Sequence, residues 1–353
     1  ADAGAHCIET LEPAIKAFDE AGAALSPVDA KLAANLKEST SFLSEFFFGL
    51  QLICTGKDTS YVYSAQLSRS KSNRGQEMLC AEKLDIGEEL AQKWLPEMYS
   101  VIFTSATMAV SHNFDHFDEA IGLSKGDFSH QSRELDSSFD FDENMAVVVP
   151  KDIPEPNDAR YLQVLEDVLY DIHVGMGGSV LTLFTNRRDM EQLYERLKPR
   201  LAERGLLLEC QERNGSARRL RDRFVADEAC SLFALKSFWE GFDAVGDTLR
   251  CVVIPRLPFA SPNDPISKER SQREERAWWR YSLPEAVIAT KQAAGRLIRS
   301  GSDKGILVLA DSRVVSKRYG KQFLNSLPKK QADIMCRDDV KGFIIRWREE
   351  HGA

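Results

Sequence analysis

The sequence Val180-Leu-Thr-Leu-Phe184 is a short and almost continuous apolar run, and a helical pattern follows it over residues 188–197. Strands that are buried on both faces have such a composition, and they occur in parallel sheets. Further runs of this kind occupy residues 101–103, 206–208, 232–235, 251–254 and 306–309. A second helical pattern covers residues 285–299. This alternation predicts an α/β fold in which helices cover a parallel sheet.

The segments that precede Val180 show other sequence patterns. Residues 1–50 are predicted to be helical, and Ser26-Pro-Val-Asp29 offers a serine N-cap followed by a proline at the first helical position. From Leu52 the pattern changes to short strand-like stretches such as Tyr61-Val-Tyr63. Residues 112–158 are rich in Asp, Ser and Pro. We expect them to connect two lobes, with the second lobe starting near Asp158.

The overall charge restricts the class of protein without deciding its partner. The 353-residue chain carries a formal net charge of -8. Such a balance argues against a protein that coats nucleic acid non-specifically, but it permits a local basic groove. No apolar run approaches the roughly 18 residues that a membrane span needs, and no signal peptide opens the chain. We therefore expect a cytoplasmic protein without a membrane partner.

The cysteines and histidines do not predict a metal site. The seven cysteines are scattered, odd in number and never form a C-x-x-C pair, which is typical of reduced thiols in the cytosol. His112 and His116 come nearest to a ligand pair, but they lie in a polar setting typical of a loop or a helix start. We therefore expect no metal site in this chain.

One predicted helical stripe carries fixed positive charge. Within residues 291–300, at about 100° per residue, Gln292, Arg296 and Arg299 fall within about 60° of one another. Two arginines one turn apart provide planar, permanently charged groups suited to the oxygens of a transferring phosphoryl group. The alternative is a solvated basic face on an amphipathic helix.

Polar clusters follow several of the predicted strands. They are Thr104-Ser-Ala-Thr107, Thr185-Asn-Arg-Arg188, residues 236–243 and Asp311-Ser-Arg313. In a parallel sheet of this kind, ligands bind beyond the carboxyl ends of the strands. We therefore expect one edge of the sheet to carry nearly all of the binding residues.

Four motifs stand in a fixed order along the chain: Thr104-Ser-Ala-Thr107, Leu183-Phe-Thr-Asn186, Ser237-Phe-Trp-Glu-Gly-Phe-Asp243 and Gln292-Ala-Ala-Gly-Arg-Leu-Ile-Arg299. Together they resemble motifs III, IV, V and VI of superfamily 2 helicases. The finer resemblance is to the DinG family, relatives of the xeroderma pigmentosum group D helicase. It covers about residues 79–330 and includes Leu257-Pro-Phe-Ala-Ser-Pro-Asn-Asp-Pro265 and Tyr319-Gly320.

The resemblance implies a domain arrangement and an activity. Residues 1–55 would be the end of an Arch-like helical insertion, and residues 56–110 the last part of motor domain 1 with motif III. Residues 111–353 would form a RecA-like motor domain 2. The implied function is that of the C-terminal portion of an ATP-dependent DNA helicase, an ATP hydrolase that moves 5′ to 3′ on single-stranded DNA.

The resemblance also implies roles for the motif VI and motif III residues. Arg299 matches the arginine finger, Arg296 a second phosphate contact, and Gln292 a group that orients the attacking water or the γ-phosphate. Ser105 and Thr107 match the motif that couples ATP state to DNA grip, although a strand-to-turn cap is the simpler interpretation.

Motifs IV and V are implied to bind DNA and nucleotide. Thr185, Asn186 and Ser237 match DNA-binding positions, with helix capping as the alternative for the first two. Phe238 and Trp239 would stack on a base or brace the loop against the core. The remaining positions match nucleotide-binding residues, with a purely structural loop as the alternative: Glu240, Gly241 and Asp243.

Parts of a complete motor are missing from the sequence. No G-x-x-x-x-G-K-[ST] loop occurs, and Gly56-Lys57-Asp58 has the wrong third residue, so no cradle for the β- and γ-phosphates of ATP is present. The acidic Asp118-Glu-Ala120 and Asp227-Glu-Ala229 follow motif III, whereas the family's Mg²⁺-binding acid box precedes it.

We therefore expect a fragment, which also begins without methionine, that needs the N-terminal motor domain of the same protein as its partner and is inactive alone. ATP and Mg²⁺ would serve the full-length protein, and an iron-sulfur cluster is possible only in the upstream region. The alternatives are a non-catalytic module that binds nucleic acid or a partner, and an RNA helicase lobe.

Overall fold

The computed structural model describes residues 2–67, 77–211, 213, 215–235, 238 and 248–352. They belong to two compact units. The first, here called the helical unit, comprises Ala1–Leu90 and Ser261–Glu275. The second, the sheet unit, comprises Ala91–Ala260 and Arg276–Ala353. The helicase-type division at residues 55 and 110 stays a prediction.

The helical unit begins with two long helices, as the sequence predicts. They are Asp2–Leu25 and Ala30–Thr55. The predicted N-cap Ser26 is wrong, because the carboxylate of Asp29 accepts the N–H groups of Lys31 and Leu32 and starts the second helix at Ala30. After this helix, β1 (Tyr61–Gln66) pairs antiparallel with β2 (Met78–Lys83).

The helix Pro265–Arg273 belongs to the same unit and contacts this hairpin through two arginines. Arg270 donates to the carbonyl of Leu84, and Arg273 donates to the carbonyl of Thr59.

The sheet unit contains seven parallel strands in the order β5-β6-β4-β7-β8-β3-β9. The strands are β3 (Met145–Pro150), β4 (Val180–Leu183), β5 (Leu207–Cys210), β6 (Cys230–Ala234), β7 (Cys251–Ile254), β8 (Gly305–Leu309) and β9 (Asp333–Met335). The predicted α/β fold with a parallel sheet is confirmed.

Helices cover both faces of this sheet. The longer ones are Tyr161–Met176, Arg187–Ala202, Ala217–Ala226, Leu283–Ala294 and Arg337–His351. Shorter helices are Asp115–Ala120, Phe141–Asn144, Arg313–Ser316 and Gly320–Ser326. Among the residues that the structure describes, no helix has the length and apolar character needed to cross a membrane.

The core consists of two layers, one on each face of the sheet. Alternate residues of β8 enter opposite layers: Leu307 and Leu309 join one, and Ile306 and Val308 join the other. Successive side chains of a strand point to opposite faces, so a strand covered on both sides must be apolar at every position. This packing explains the continuous apolar runs in the sequence.

Two predictions about strands are wrong. Residues 101–103 form no strand, and Ile102 is 85% exposed, since no described strand pairs with them to satisfy their backbone groups. Conversely, residues 145–150 lie in the segment predicted to connect two lobes, yet they form β3 between β8 and β9. The second lobe therefore begins well before Asp158.

Gly320 lies where the helix Gly320–Ser326 passes close to the preceding chain. A Cβ at this position would overlap the carbonyl group of Val314, whereas a Cβ at Gly301 would meet open space. We predict that Gly320→Ala lowers the free energy of unfolding by about 1–3 kcal/mol, because the backbone must shift. The control Gly301→Ala should change it by less than about 0.5 kcal/mol. Urea denaturation measures both values, and equal values would contradict the prediction.

His173 is a buried titratable group in the helix Tyr161–Met176. Its Nε2 lies 3.3 Å from the hydroxyl of Thr182, and its ring packs edge-on against Phe233. Burial lowers the pKa of His173 to about 3. The folded protein therefore holds this ring neutral at pH values where an exposed histidine would be protonated.

This pKa predicts a pH dependence of stability. Below about pH 6.5 the unfolded chain binds a proton at His173 that the folded protein does not bind, so the free energy of unfolding falls as the pH falls. In His173→Leu the slope of this free energy against pH should be shallower by up to about 1.4 kcal/mol per pH unit between about pH 4 and pH 6. Replacement of the exposed His6 by Gln is the control. An unchanged slope in His173→Leu would refute this assignment.

Candidate functional site

The sheet unit contains a cavity of about 1700 Å³. Gln292, Arg296 and Arg299 line it together with Ser105 and Thr107. The structure thus brings the two arginines and the glutamine of motif VI into one space with the two hydroxyl groups of motif III. Segment 127–137 lines the same cavity.

The two arginines lie in a loop rather than on a helix. The helix Leu283–Ala294 ends before Arg296, so the predicted helical stripe through residue 299 is wrong. At this end the N–H of Arg296 bonds the carbonyl of Ala293, and the N–H of Leu297 bonds that of Ala294. These three-residue steps tighten the chain into a turn. The turn, not helical periodicity, sets the positions of Arg296 and Arg299.

Asp303 closes the loop that follows. Its Oδ2 accepts the N–H groups of Arg299 at 2.8 Å and Ser300 at 2.9 Å, and its Oδ1 accepts the Ser300 hydroxyl at 2.6 Å. Burial acts to raise the pKa of Asp303, but the hydrogen bonds from Ser300 and Arg299 outweigh it and lower this pKa. Asp303 is therefore a carboxylate at neutral pH. Asp303 is not among the predicted site residues, although an acid three residues after Ser300 is a recognisable turn signal.

The motif III segment forms its own local turn. The hydroxyl of Ser105 accepts the N–H of Thr107 at 3.2 Å, and the two hydroxyl oxygens lie 3.3 Å apart. Lys291 Nζ donates to the carbonyl of Ala109 at 3.5 Å. The capping interpretation of Ser105 thus describes its hydrogen bonds, while Ser105 and Thr107 also line the cavity.

A strained turn lies at the rim of the cavity. Ser111 and His112 have φ angles of 49° and 64°, values that non-glycine residues rarely adopt. The N–H and carbonyl groups of Val110 and Asn113 bond each other on either side of this turn. The N–H of Ser111 donates to the Ser326 hydroxyl at 2.9 Å, and His112 Nδ1 lies 2.7 Å from Glu134 Oε2. His112 and His116 therefore contact separate partners, because His116 Nδ1 faces the carbonyl of Arg280.

The polar clusters lie at two edges of the sheet, so the expectation of a single edge is wrong. Thr185 follows β4 and Asp311 follows β8, at the carboxyl edge. Arg296 and Arg299 precede β8 and therefore lie at the amino edge. Ser105 and Thr107 line the cavity with these arginines and not with the residues after β4.

At the carboxyl edge, Asn186 acts as a helix cap. Its Oδ1 accepts the N–H of Arg188 at 2.9 Å, and its Nδ2 donates to Asp189 at 3.0 Å. Thr185 is exposed beside it. The capping alternative holds for Asn186, and the predicted contact of both residues with DNA stays a prediction.

Of the motif V residues 237–243, the structure describes Phe238. Phe238 is 4% exposed and belongs to the core layer that includes Leu183 and Leu257. Its ring is therefore buried in the core, which favours the bracing alternative, and its contact with DNA stays a prediction. The other predicted motif V residues lie outside the described residues: Ser237, Trp239, Glu240, Gly241 and Asp243.

Asp311 connects two strand ends. Its buried carboxylate accepts the N–H of Leu257 at 2.9 Å and pairs with the guanidinium of Arg313 at 2.6 Å. Arg313 in turn lies over the ring of Phe259. This arrangement fixes the segment after β7 against the end of β8, so both charged groups have a structural role.

Comparison with known proteins supports the resemblance to the DinG family. Residues 170–330 match the helicase C-terminal domain family. The chain is 34% identical over 254 residues to the ATP-dependent DNA helicase YoaA of Escherichia coli (strain K12), covering 71% of this chain and 39% of that protein. It is 29% identical over 326 residues to the 3'-5' exonuclease DinG of Bacillus subtilis (strain 168), covering 90% of this chain and 35% of that protein.

A solved structure supports the fold. The structure called XPD_APO is similar with a TM-score of 0.55 at 19% sequence identity, covering 87% of this chain and 62% of that one. The chain spans between a third and two fifths of the length of the two curated relatives. Residues 170–330 are therefore similar to a helicase C-terminal domain, the chain is similar to the DinG and YoaA proteins, and the RecA-like fold assignment is confirmed.

The strained turn at the cavity rim yields a prediction. His112→Gly and His112→Ala both remove the imidazole and its contact with Glu134, but only Ala keeps a Cβ at the positive φ. The Gly variant should therefore be more stable than the Ala variant by about 1 kcal/mol. At the exposed helical position Glu195 the order should reverse, since Ala favours a helix over Gly. Urea denaturation of the four variants tests this, and the same order at both positions would contradict it.

Proposed function

Starting from a helicase C-terminal domain homologous to DinG and YoaA, we propose that this chain forms the C-terminal part of an ATP-dependent DNA helicase. The observation that carries the proposal is the shared cavity, which Gln292, Arg296 and Arg299 line together with Ser105 and Thr107. Its volume of about 1700 Å³ exceeds the roughly 300–1,000 Å³ typical of small-ligand sites. A nucleotide and part of a second protein lobe would fit there.

The proposed chemistry is hydrolysis of ATP. The oxygen of a water molecule attacks the γ-phosphorus, the bond from this phosphorus to the bridging oxygen breaks, and ADP and phosphate leave. Negative charge spreads over the oxygens of the transferring group. Arg299 as arginine finger, with Arg296 beside it, offsets that charge because a guanidinium group is planar and permanently charged. Gln292 orients the attacking water or the γ-phosphate.

The second half of the nucleotide site has to come from another lobe. The sequence contains no Walker A loop, so this chain lacks the backbone cradle and the lysine that bind the β- and γ-phosphates. We assign that cradle to the N-terminal motor domain of the same protein. Residues 56–110 would end that domain, residues 111–353 would form motor domain 2, and residues 1–55 would end the Arch-like insertion. The chain alone is then inactive.

Metal ligands are also assigned to that other lobe. Among the described residues, no group of three or more His, Cys, Asp and Glu side chains could hold a metal ion. The described side chains therefore do not fit a Mg²⁺ site or an iron-sulfur cluster of their own. Mg²⁺ would accompany ATP, and any cluster would be bound upstream.

Single-stranded DNA is proposed to bind at the carboxyl edge of the sheet. Thr185 offers an exposed hydroxyl beside the start of the helix Arg187–Ala202, where N–H groups and the helix dipole favour a phosphate. Ser237 and Trp239 would extend this contact, while Phe238 braces the loop from the core. Nucleotide and DNA then occupy opposite edges of the sheet. ATP binding closes the two lobes and hydrolysis opens them, and Ser105 and Thr107 couple this change to the grip on DNA during 5′ to 3′ movement.

The arginine finger can be tested in the protein encoded by the complete gene. Arg299→Ala should lower the rate of single-stranded-DNA-stimulated ATP hydrolysis by about 10³-fold or more, because the transition-state charge loses its partner. The dissociation constant for an oligonucleotide should change by less than about threefold, since the DNA contacts lie at the other sheet edge. The exposed Arg346, outside the cavity, provides the matched control Arg346→Ala.

Three outcomes would contradict the proposal. Undiminished turnover in Arg299→Ala would exclude the finger. DNA-stimulated ATP hydrolysis by residues 1–353 alone would exclude the need for a second lobe. Tighter binding of RNA than of DNA of the same sequence, measured by competition, would favour an RNA helicase lobe.

A further inference from the structure

We infer that Asp303 is a positioning residue for the arginine finger: its carboxylate fixes the main chain at Arg299 and Ser300, and thereby the point from which the guanidinium reaches the nucleotide. This inference rests on the proposed function, because it gives Asp303 a role in ATP hydrolysis through Arg299. Motif VI as read from the sequence ends at Arg299, so the inference extends the site beyond the motif.

The hydrogen bonds of Asp303 form a closed loop. Oδ2 accepts two consecutive backbone N–H groups, those of Arg299 and Ser300, and Oδ1 accepts the Ser300 hydroxyl. In the opposite direction, the N–H of Asp303 donates to the carbonyl of Ser300 at 3.3 Å. One side chain therefore satisfies three donors at Arg299 and Ser300, and a change of the main chain there would leave those donors unbonded.

Packing fixes the loop on both sides of this turn. Leu297 and Ile298 are 2% and 3% exposed. A Cβ at Gly305, the first residue of β8, would lie 2.7 Å from Leu297 Cδ2 and 3.2 Å from the carbonyl oxygen of Arg250. Leu297 thus packs directly on the backbone of β8. Between these anchors Gly301 and Ser302 are exposed. The carboxylate of Asp303 bonds the main chain at Arg299 and Ser300, while Asn144 bonds the carbonyl of Gly301.

Removal of these contacts should lower the rate of ATP hydrolysis more than it weakens nucleotide binding. A displacement of about 1 Å in a group that acts in the transition state can cost about 10²-fold in rate. The loop would remain attached at Leu297 and at β8, so the chain would still fold and ATP would still bind. Loss in kcat with little change in KM is the signature of an interaction made in the transition state.

The experiment compares variants in the protein encoded by the complete gene. Asp303→Ala should lower kcat for DNA-stimulated ATP hydrolysis by about 10–100-fold, with KM for ATP changed by less than about threefold. Asp303→Asn, whose amide oxygen can still accept both N–H groups, should keep kcat within about fivefold of the unmodified protein. Gly301→Ala, in the same loop with open space around it, should leave kcat unchanged.

A double-mutant cycle separates positioning from a general loss of structure. Arg299→Lys keeps a cation without the planar fork and leaves residual turnover to measure. If Asp303 acts through Arg299, then Asp303→Ala should cause a much smaller loss in the Arg299→Lys background than in the unmodified protein. Additive losses, or Asp303→Asn as damaging as Asp303→Ala, would overturn the inference.

Further outcomes distinguish a failure of the inference from a failure of the proposed function. If the unmodified protein shows no DNA-stimulated ATP hydrolysis, the proposed function fails together with the inference. If Arg299→Lys and Arg299→Ala both retain full turnover, the assignment of Arg299 as arginine finger fails, and the inference fails with it. If Arg299→Ala abolishes turnover while Asp303→Ala leaves kcat unchanged, the inference alone fails. Should Asp303→Ala not fold, Ser300→Ala removes only the hydroxyl donor, and kcat lowered by at least about threefold supports the inference while an unchanged kcat overturns it.

Discussion

Parallel pairing of β7 with β8 is the constraint on which the candidate site depends. Cys251 lies opposite Ile306 and Ile254 opposite Leu309, so the chain leaves β7 at the carboxyl edge of the sheet and must return to the amino edge before β8 begins. The helix Leu283–Ala294 makes this return. Arg296 and Arg299 are delivered at the amino edge because they follow that helix and precede β8.

The position of β3 completes the cavity. β3 pairs with β8 from Met145 opposite Gly305 onward, so its amino end lies beside the arginine loop. Asn144, the residue before β3, donates to the carbonyl of Gly301 at 3.3 Å. The segment that leads into β3 therefore passes the same edge, and residues 127–137 line the cavity for that reason. At the opposite edge, Asp311 holds the segment after β7 against the end of β8.

Local chemistry within the loop competes with helical periodicity. The sequence continues the apolar pattern of the helix through Leu297 and Ile298, and both side chains are buried as that pattern predicts. The backbone nevertheless leaves the helix at Gly295, and Asp303 supplies acceptors to N–H groups that a continued helix would have bonded internally. The burial of these residues was thus predictable, whereas their backbone conformation depended on a carboxylate outside the motif.

The sequence by itself determined the parallel sheet, most of its strands and the motif residues, because burial on both faces demands continuous apolar runs such as residues 306–309 and because polar residues at strand ends are local signals. Only the tertiary structure decided which motifs share a space. Strand order placed Arg299 and Thr185 at opposite edges of the sheet, and contacts such as that of Lys291 with the carbonyl of Ala109 hold the segment of Ser105 and Thr107 on the side of Arg299. The tertiary structure also made residues 145–150 a strand and left residues 101–103 without one. A strand requires a neighbour with free backbone groups, and a local sequence does not specify its neighbour.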